Sequence, residues 1–462
     1  MLARIESSTV MGIDALRVEV EIDISGGLPG FSIVGLPDTT VRESIKRVKS
    51  AIKNSGFEFP SKKITINLAP ADIKKEGPAF DLPIALGILT ASGQIDQENL
   101  LNKVTCGELS LDGSLRPIKG ALSRTIGLKK SKNKVLLLPK KNIKESSIIK
   151  DVETYPISSL AEAVAFIKGE IEIRPAGIDL KKLWKKDGHY RTDFSDVKGQ
   201  YHIKRGLEVA AAGHHNVLLI GPPGAGKTML AKRIPGILSK MTMEEAVETT
   251  KIHSVTGLLS SNKALITKRP FRLPHHTISD AALSGGGVHP RPGEISLAHN
   301  GVLFLDEFPE FKRNVLEVLR QPLEEGTVTV SRISGTVTYP ARFMLIAAMN
   351  PCPCGYFTHP KKECHCTPHQ IQKYLSRISG PLLDRIDIHL EVPCLNYEDL
   401  IQKPNGETST EIRKRVVSTK IIQKKRYQKG NSFWNAHLEA KEIEKFCPTD
   451  NQAKELLKIA II

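Results

Sequence analysis

The amino-acid sequence predicts an α/β protein: a phosphate-loop core on a parallel sheet, preceded by an α+β domain and followed by a shorter helical part. Three observations carry this. An apolar strand, Asn216 to Ile220, runs directly into the glycine-rich segment GPPGAGKT and then into a helix. Short apolar strands at Gly301 to Leu305 and Phe343 to Ala347 are separated by helical segments such as Lys312 to Leu319, the rhythm of parallel strands covered by helices. Residues 1–170 mix strands and helices without that rhythm.

Taken in order, the opening MLARIESSTVMGIDALRVEVEID alternates apolar and polar residues at strand period. No basic stretch leads there into an unbroken apolar run, so it does not read as a secretory leader. Ile64 to Leu68 is a short strand, Asp81 to Thr90 an apolar helix after a Gly-Pro turn, and Lys134 to Leu138 a buried strand. These define a first domain, 1–170. Residues 171–195 turn charged and turn-rich, as a linker would. The second unit, 196–395, starts with a helical run from His202 to Ala212 ahead of the glycine-rich loop, and 396–462 read as polar and helical.

A chain of 462 residues exceeds the size of one core, so two or three domains are expected. Lys and Arg number 66 against 50 Asp and Glu, a formal charge of +16. Such an excess attracts polyanions through counterion release, with a lysine-rich surface lacking any partner as the plainer alternative. No stretch is long and apolar enough to span a membrane. Seven cysteines, four of them between Cys352 and Cys366, suit the reducing cytoplasm and a metal site better than a disulfide framework.

The loop Gly221, Pro222, Pro223, Gly224, Ala225, Gly226, Lys227 and Thr228 fits a phosphate cradle. Its N–H groups and the following helix N-terminus would hold the phosphates of ATP, Lys227 would reach the outer phosphates, and Thr228 would ligate Mg²⁺. GVLFLDE sets Asp306 and Glu307 at the end of an apolar strand, where Asp306 would hold Mg²⁺ through water and Glu307 polarise the attacking water. Alone, such an acidic pair is more often a helix cap. MLIAAMNP brings Asn350 to the same sheet edge, as a residue sensing the γ phosphate or as a simple turn former. In YLSRISGPLLDRIDI, Arg385, and after it Arg377, would reach a neighbouring subunit's phosphates; an intrachain pair of Arg385 with Asp384 or Asp387 is the alternative.

These motifs, with RPFRLPHHTISDAALSGGGVHPRPGEISLAHNGVLFLDE between the first two, resemble the magnesium-chelatase-like AAA+ ATPases of the YifB or ComM branch along nearly the whole chain. The resemblance implies a pre-sensor hairpin at Glu324 to Tyr339 and a second insert around Arg272 to Gly293, both facing the pore of a homo-oligomeric ring, commonly a hexamer. It also implies an ATP hydrolase that moves branched or single-stranded DNA, a branch-migration helicase in recombination or natural transformation. A chelatase-like or chaperone-like remodelling ATPase that does not act on DNA is the alternative. The residues agree with flexible basic loops: Gly285, Gly286 and Gly287 lie beside His275, His276, His289 and Arg291, a set that would grip phosphates or, less readily, a metal.

The first domain is similar to the Lon-protease-like and ribosomal S5 domain 2-like domain of the same family, on INLAPADIKKEGPAFDLPIAL. Where Lon-type proteases carry the nucleophilic serine this chain has Ala79, and the lysine partner's place falls at Leu122, so the domain is expected to be non-proteolytic. Cys352, Cys354, Cys364 and Cys366 would surround a structural Zn²⁺, with His365 and His369 as substitutes and reduced thiols as the alternative. The family resemblance also implies a further lid arginine; the chain stops at KELLKIAII, which reads as mid-helix, so a truncated lid is expected.

Overall fold

The computed structural model describes residues 1–129, 131, 134–180, 183–184, 190–287, 290–332, 335–394, 406–427 and 434–461. The first sheet begins with a long antiparallel hairpin, β1 (Leu2–Met11) and β2 (Asp14–Ser25), in register from Leu2 opposite Asp23 to Met11 opposite Asp14. Val18, Val20, Ile22 and Ile24 are buried while Arg17, Glu19, Glu21 and Asp23 alternate outward, as the period-two sequence requires. The sheet is completed by β3 (Gly30–Val34), β4 (Lys63–Ala69) and β5 (Lys103–Thr105). After a small hairpin of β6 (Glu108–Leu109) and β7 (Leu115–Arg116) come β8 (Val135–Pro139) and β9 (Glu153–Ile157). Its order is β3-β4-β2-β1-β5-β8-β9, with parallel and antiparallel neighbours.

Helix Asp81–Ala91 lies against β1 and β2 with every residue buried, so it has no polar face. Gly87 permits the contact: a Cβ there would come within 2.1 Å of Ile22 Cδ1. The buried Asp81 carboxylate accepts from Arg47 Nε at 2.8 Å and Nη2 at 3.1 Å, and from the Leu109 N–H at 3.2 Å. Burial nonetheless pushes this carboxyl up to about 6, with Arg47 opposing the rise.

The second sheet is built from β10 (Val217–Ile220), β11 (Phe271–Arg272), β14 (Val302–Leu305), β17 (Met344–Met349) and β18 (Ile388–Glu391), in the order β11-β14-β17-β10-β18. All neighbours are parallel. Leu303, Leu305, Leu345, Ala347 and Met349 enter one apolar cluster; Val302, Phe304, Met344, Ile346 and Ala348 enter another. Both faces are therefore covered, which explains why β14 and β17 are unbroken apolar runs. Two antiparallel ribbons stand apart from this sheet: β12 (Gly285–Gly286) with β13 (Arg291–Pro292), and β15 (Thr327–Arg332) with β16 (Gly335–Pro340). Helix Ser409–Arg426 packs on helix Tyr201–Gly213 through Ile412 and Val416, and Arg415 grips Glu208 at 2.5 Å and Glu407 at 2.6 Å.

The two sheets are joined by helix Ala121–Leu128 packing on helix Met243–Thr256, with Leu122 buried among Met241, Ala246 and Leu265. Ser254 Oγ donates to Glu145 Oε2 at 2.5 Å and Lys251 pairs with Asp14 at 2.6 Å across the same junction. Residues 181–182 and 185–189 of the expected linker, and the expected boundary at 395–396, lie outside the described residues, as does His289.

Candidate nucleotide site

Because the second sheet is parallel and β14, β17 and β10 are adjacent, their C-terminal ends emerge at one edge. Ile220 lies opposite Met349 in register, and Leu305 opposite Ala347. The residues that follow, Gly221, Asp306 and Asn350, are thereby gathered at one place. Gly224 and Gly226 hold positive φ (79° and 87°), so the loop curls ahead of helix Lys227–Ala231 in a form that favours glycine.

Lys227, only 8% exposed, donates from Nζ to Gly221 O (2.6 Å), Pro222 O (3.0 Å) and Asn350 Oδ1 (3.1 Å). Burial holds its amine below the ordinary lysine range, while Asp306 pulls the other way. Thr228 Oγ1 donates to Asp306 Oδ2 at 2.6 Å, which places two hard oxygen donors at one point, a donor set suited to Mg²⁺. Four of the sequence-expected residues, Lys227, Thr228, Asp306 and Asn350, are thus linked pairwise by hydrogen bonds.

Glu307 is placed differently. Its backbone adopts the left-handed region (φ 54°), a conformation that costs a non-glycine residue about 1–2 kcal/mol. Its carboxylate turns to His276 Nδ1 at 3.0 Å, and the His276 ring packs on His275 with centroids 4.1 Å apart. Arg385 is half-exposed and bound to Glu324 through Nε (3.0 Å) and Nη2 (2.8 Å), so neither Asp384 nor Asp387 is its intrachain partner. Asp387 instead takes His215 at 3.0 Å and the Asn216 N–H at 3.2 Å. Arg377 pairs with Glu310 at 2.7 Å.

The two segments expected to face a pore touch each other. A Cβ on Gly285 would lie 3.2 Å from Val330, and one on Gly286 would lie 3.0 Å from Arg332 Nη2. Arg332 and Arg291 are both exposed on this paired surface, whereas Arg272 is engaged by Glu294 through two bonds of 2.6 Å. Tyr339 fixes the ribbon from beneath, buried and donating to Pro290 O at 2.7 Å.

The Sγ atoms of Cys352, Cys354, Cys364 and Cys366 all lie within 4.8 Å of one another. Separations of 3.4 Å (Cys352 to Cys354) and 3.6 Å (Cys352 and Cys354 to Cys364) approach the ~3.8 Å edge of a tetrahedron with Zn–S bonds of ~2.3 Å. They are far too long for disulfides of ~2.05 Å. The four residues fit a thiophilic divalent ion, and the Tyr356 N–H directed at Cys354 holds that thiol down to about 6. Among the described residues no histidine joins the group.

In the first domain, Ala79 is buried in an apolar cluster with Val104, Cys106 and Ile118, and Leu122 faces the junction with the second sheet. Both side chains are buried.

Sequence reasoning missed Gln200, whose Nε2 donates to Ala225 O of the phosphate loop at 2.7 Å from a left-handed position ahead of helix Tyr201–Gly213. The signal was the pair Gly199-Gln200 standing where a Ser, Thr or Asp cap is usual. It also missed the pairing of His276 with Glu307, which only the fold brings together.

Three family models match the chain: magnesium chelatase, subunit ChlI, over residues 193–400; subunit ChlI of Mg-chelatase over 20–142; and magnesium chelatase, subunit ChlI C-terminal, over 406–462. Competence protein ComM of Haemophilus influenzae is 46% identical over 465 residues, covering 100% of this chain and 89% of the relative. The uncharacterized protein YifB of Salmonella typhimurium is 46% identical over 96% of this chain and 86% of its own length. The uncharacterized protein Rv2897c of Mycobacterium tuberculosis is 39% identical over 95% and 86%. A phosphate loop at the edge of a five-stranded parallel sheet, three matching family models and relatives nearly half identical from end to end make this chain a member of the magnesium-chelatase-like AAA+ ATPases, in the group of ComM and YifB.

Proposed function

We propose that this chain is an ATP-driven motor that works in the cytoplasm on branched or single-stranded DNA, as a homo-oligomeric ring of six subunits. The single observation behind the ATPase part is the hydrogen-bonded set Lys227, Asn350, Thr228 and Asp306 at one sheet edge. Loop N–H groups from Gly221 to Thr228 hold the triphosphate, and Lys227 exchanges its loop carbonyls for phosphate oxygens. Thr228 and Asp306 would hold Mg²⁺, which would supply positive charge beside the triphosphate. Glu307 leaves His276 to orient the attacking water, and Asn350 fixes the γ phosphate. Arg385, released from Glu324, reaches the neighbouring subunit's transition state. The four cysteines hold a structural zinc ion.

DNA as the track is supported by the exposed Arg291 and Arg332 on the paired ribbons, by the excess of basic residues, and by the name of the competence protein ComM among its relatives. The family models' description as a chelatase subunit favours a second reading, a remodelling ATPase that does not act on DNA. Steady-state ATPase rate and particle mass, measured with and without forked DNA, separate the two. The motor requires turnover that rises with forked or single-stranded DNA together with assembly into a ring. A rate indifferent to every DNA form leaves only the remodelling ATPase.

A further inference from the structure

The four cysteines are not remote from the nucleotide site. Strand β17 ends at Met349, Asn350 follows, and Cys352 comes two residues later. Cys352 is fully buried and its Sγ accepts from the Phe357 N–H at 3.3 Å, so the first thiolate is fixed beneath the turn it begins. The turn is closed by the Gly355 N–H donating to Cys352 O at 3.0 Å, with Gly355 at φ 83°. That glycine sits against the phosphate loop: a Cβ on it would lie 2.7 Å from Pro223 Cδ and 3.7 Å from Asn350 Cγ. The second cysteine pair, Cys364 and Cys366, stands immediately before helix Pro368–Leu375, capped by Thr367. From that helix Tyr374 packs, buried, in the same apolar cluster as Met349, the residue just before Asn350. Asn350 is therefore bracketed by both arms of the cysteine cluster, and its own Oδ1 accepts from Lys227.

From this arrangement we infer that the four-thiolate metal centre is a working part of the ATP site, a staple whose loading sets the position of Asn350 and the seat of Pro223. A bound divalent ion ties Cys352 and Cys354, at the sheet edge, to Cys364 and Cys366, at the base of the helix carrying Tyr374. Without it, the nine residues between Cys354 and Cys364, which form turns and bends and no helix or strand, would have to hold that geometry. Asn350 acts here as a residue positioned by the metal, at a distance, and the ion itself touches no substrate. The inference rests on the metal reading of the thiolates and on the ATPase reading of the loop.

The test uses the full chain. Metal analysis of the purified protein should give one thiophilic ion per chain, and Co²⁺ substitution should give a thiolate charge-transfer band. Cys364→Ser with Cys366→Ser should lose both signals and weaken binding of a fluorescent ATP analogue about tenfold or more, with turnover falling further. Gly355→Ala keeps all four thiolates, so it should retain the ion and the band yet lose nucleotide affinity through Pro223. If the double variant fails to fold, chelator stripping and Co²⁺ refilling of the unaltered protein decide: affinity must fall and then return. Normal ATP binding and turnover in the metal-free protein would overturn the coupling while leaving the ATPase reading intact. Absence of the ion and of the Co²⁺ band would overturn it at its base. Failure of the metal-loaded protein to bind ATP would strike instead at the ATPase reading.

Discussion

In the first sheet, β1 and β2 run in opposite directions and their neighbours are mixed, so strand ends are shared between both edges. In the second, five parallel strands send Ile220, Leu305 and Met349 to the same edge. The consequence shows in where each region keeps its charges. In the first domain the buried Asp81 carboxylate is paired with a partly exposed Arg47, and Ala79 nearby is packed in apolar surroundings. Lys227 with Asn350 and Thr228 with Asp306 form two hydrogen-bonded pairs gathered at one sheet edge. Polar residues become a site when the topology converges them, and a structural brace when it does not.

That contrast can be broken most directly at the phosphate loop. Lys227→Ala should abolish ATP binding and lower turnover by about a thousandfold or more, while Glu307→Gln should bind ATP and lose hydrolysis to a similar degree. Equilibrium binding of a fluorescent analogue beside a phosphate-release assay distinguishes them, and retained hydrolysis in Glu307→Gln would remove Glu307 from the mechanism. Next in size is the Asp81–Arg47 pair. Arg47→Met leaves an uncompensated carboxylate and should cost about 3–5 kcal/mol of stability, read as a shift in urea midpoint, with ATP affinity unchanged once folded.

The same pair carries a pH signature. The folded protein holds the Asp81 proton more tightly than the unfolded chain, since its carboxyl titrates at about 6 when folded and about 4 when unfolded. This group's contribution to stability is therefore greatest below pH ~4 and declines as pH rises towards ~6. Asp81→Asn should flatten that part of the urea-midpoint profile, and an unchanged slope would assign it to other groups. A smaller effect is expected at His276: His276→Ala frees the Glu307 carboxylate and should raise DNA-independent turnover a few-fold, where a fall would mean that the histidine supports catalysis. The smallest is Ala79→Ser, which should cost about 1 kcal/mol for a hydroxyl among apolar neighbours and produce no peptide cleavage. Cleavage there would end the distinction between the two regions.

The core strands were legible because burial on two faces leaves an unmistakable apolar run: VLLI, VLFL and MLIAAM are strands, followed by Gly221, Asp306 and Asn350. The helix over 81–91 was equally plain, its uniform apolarity reporting complete burial. Expected bounds were off where neighbours decide them. The strand expected at Phe343 to Ala347 begins at Met344 and runs to Met349 because β10 pairs with it as far as Ile220, and the helical stretch expected from Lys312 to Leu319 contains the shorter helix Arg313–Glu317. The three-residue strand β5 and the Pro-containing β9 carry too little pattern to be read alone. Contacts between distant segments left no local trace: Arg385 with Glu324, His276 with Glu307, Gly355 with Pro223. The thiolate cluster was visible as spacing, yet its closeness to Asn350 in space required the turn at Gly355.

The tip of the β1–β2 hairpin rests on the ribbon that carries Arg332. At Gly12, held at φ 64°, a Cβ would lie only 2.4 Å from Val337 Cγ1, and neighbouring Ile13 packs into the apolar cluster beneath β15 and β16. Through Gly12 and Ile13 the ten-residue strand β1 is thus docked, at its hairpin end, on the ribbon of the second half of the chain. A bulky residue at position 12 would collide with Val337 and strain the left-handed backbone, unseating the ribbon from the N-terminal sheet.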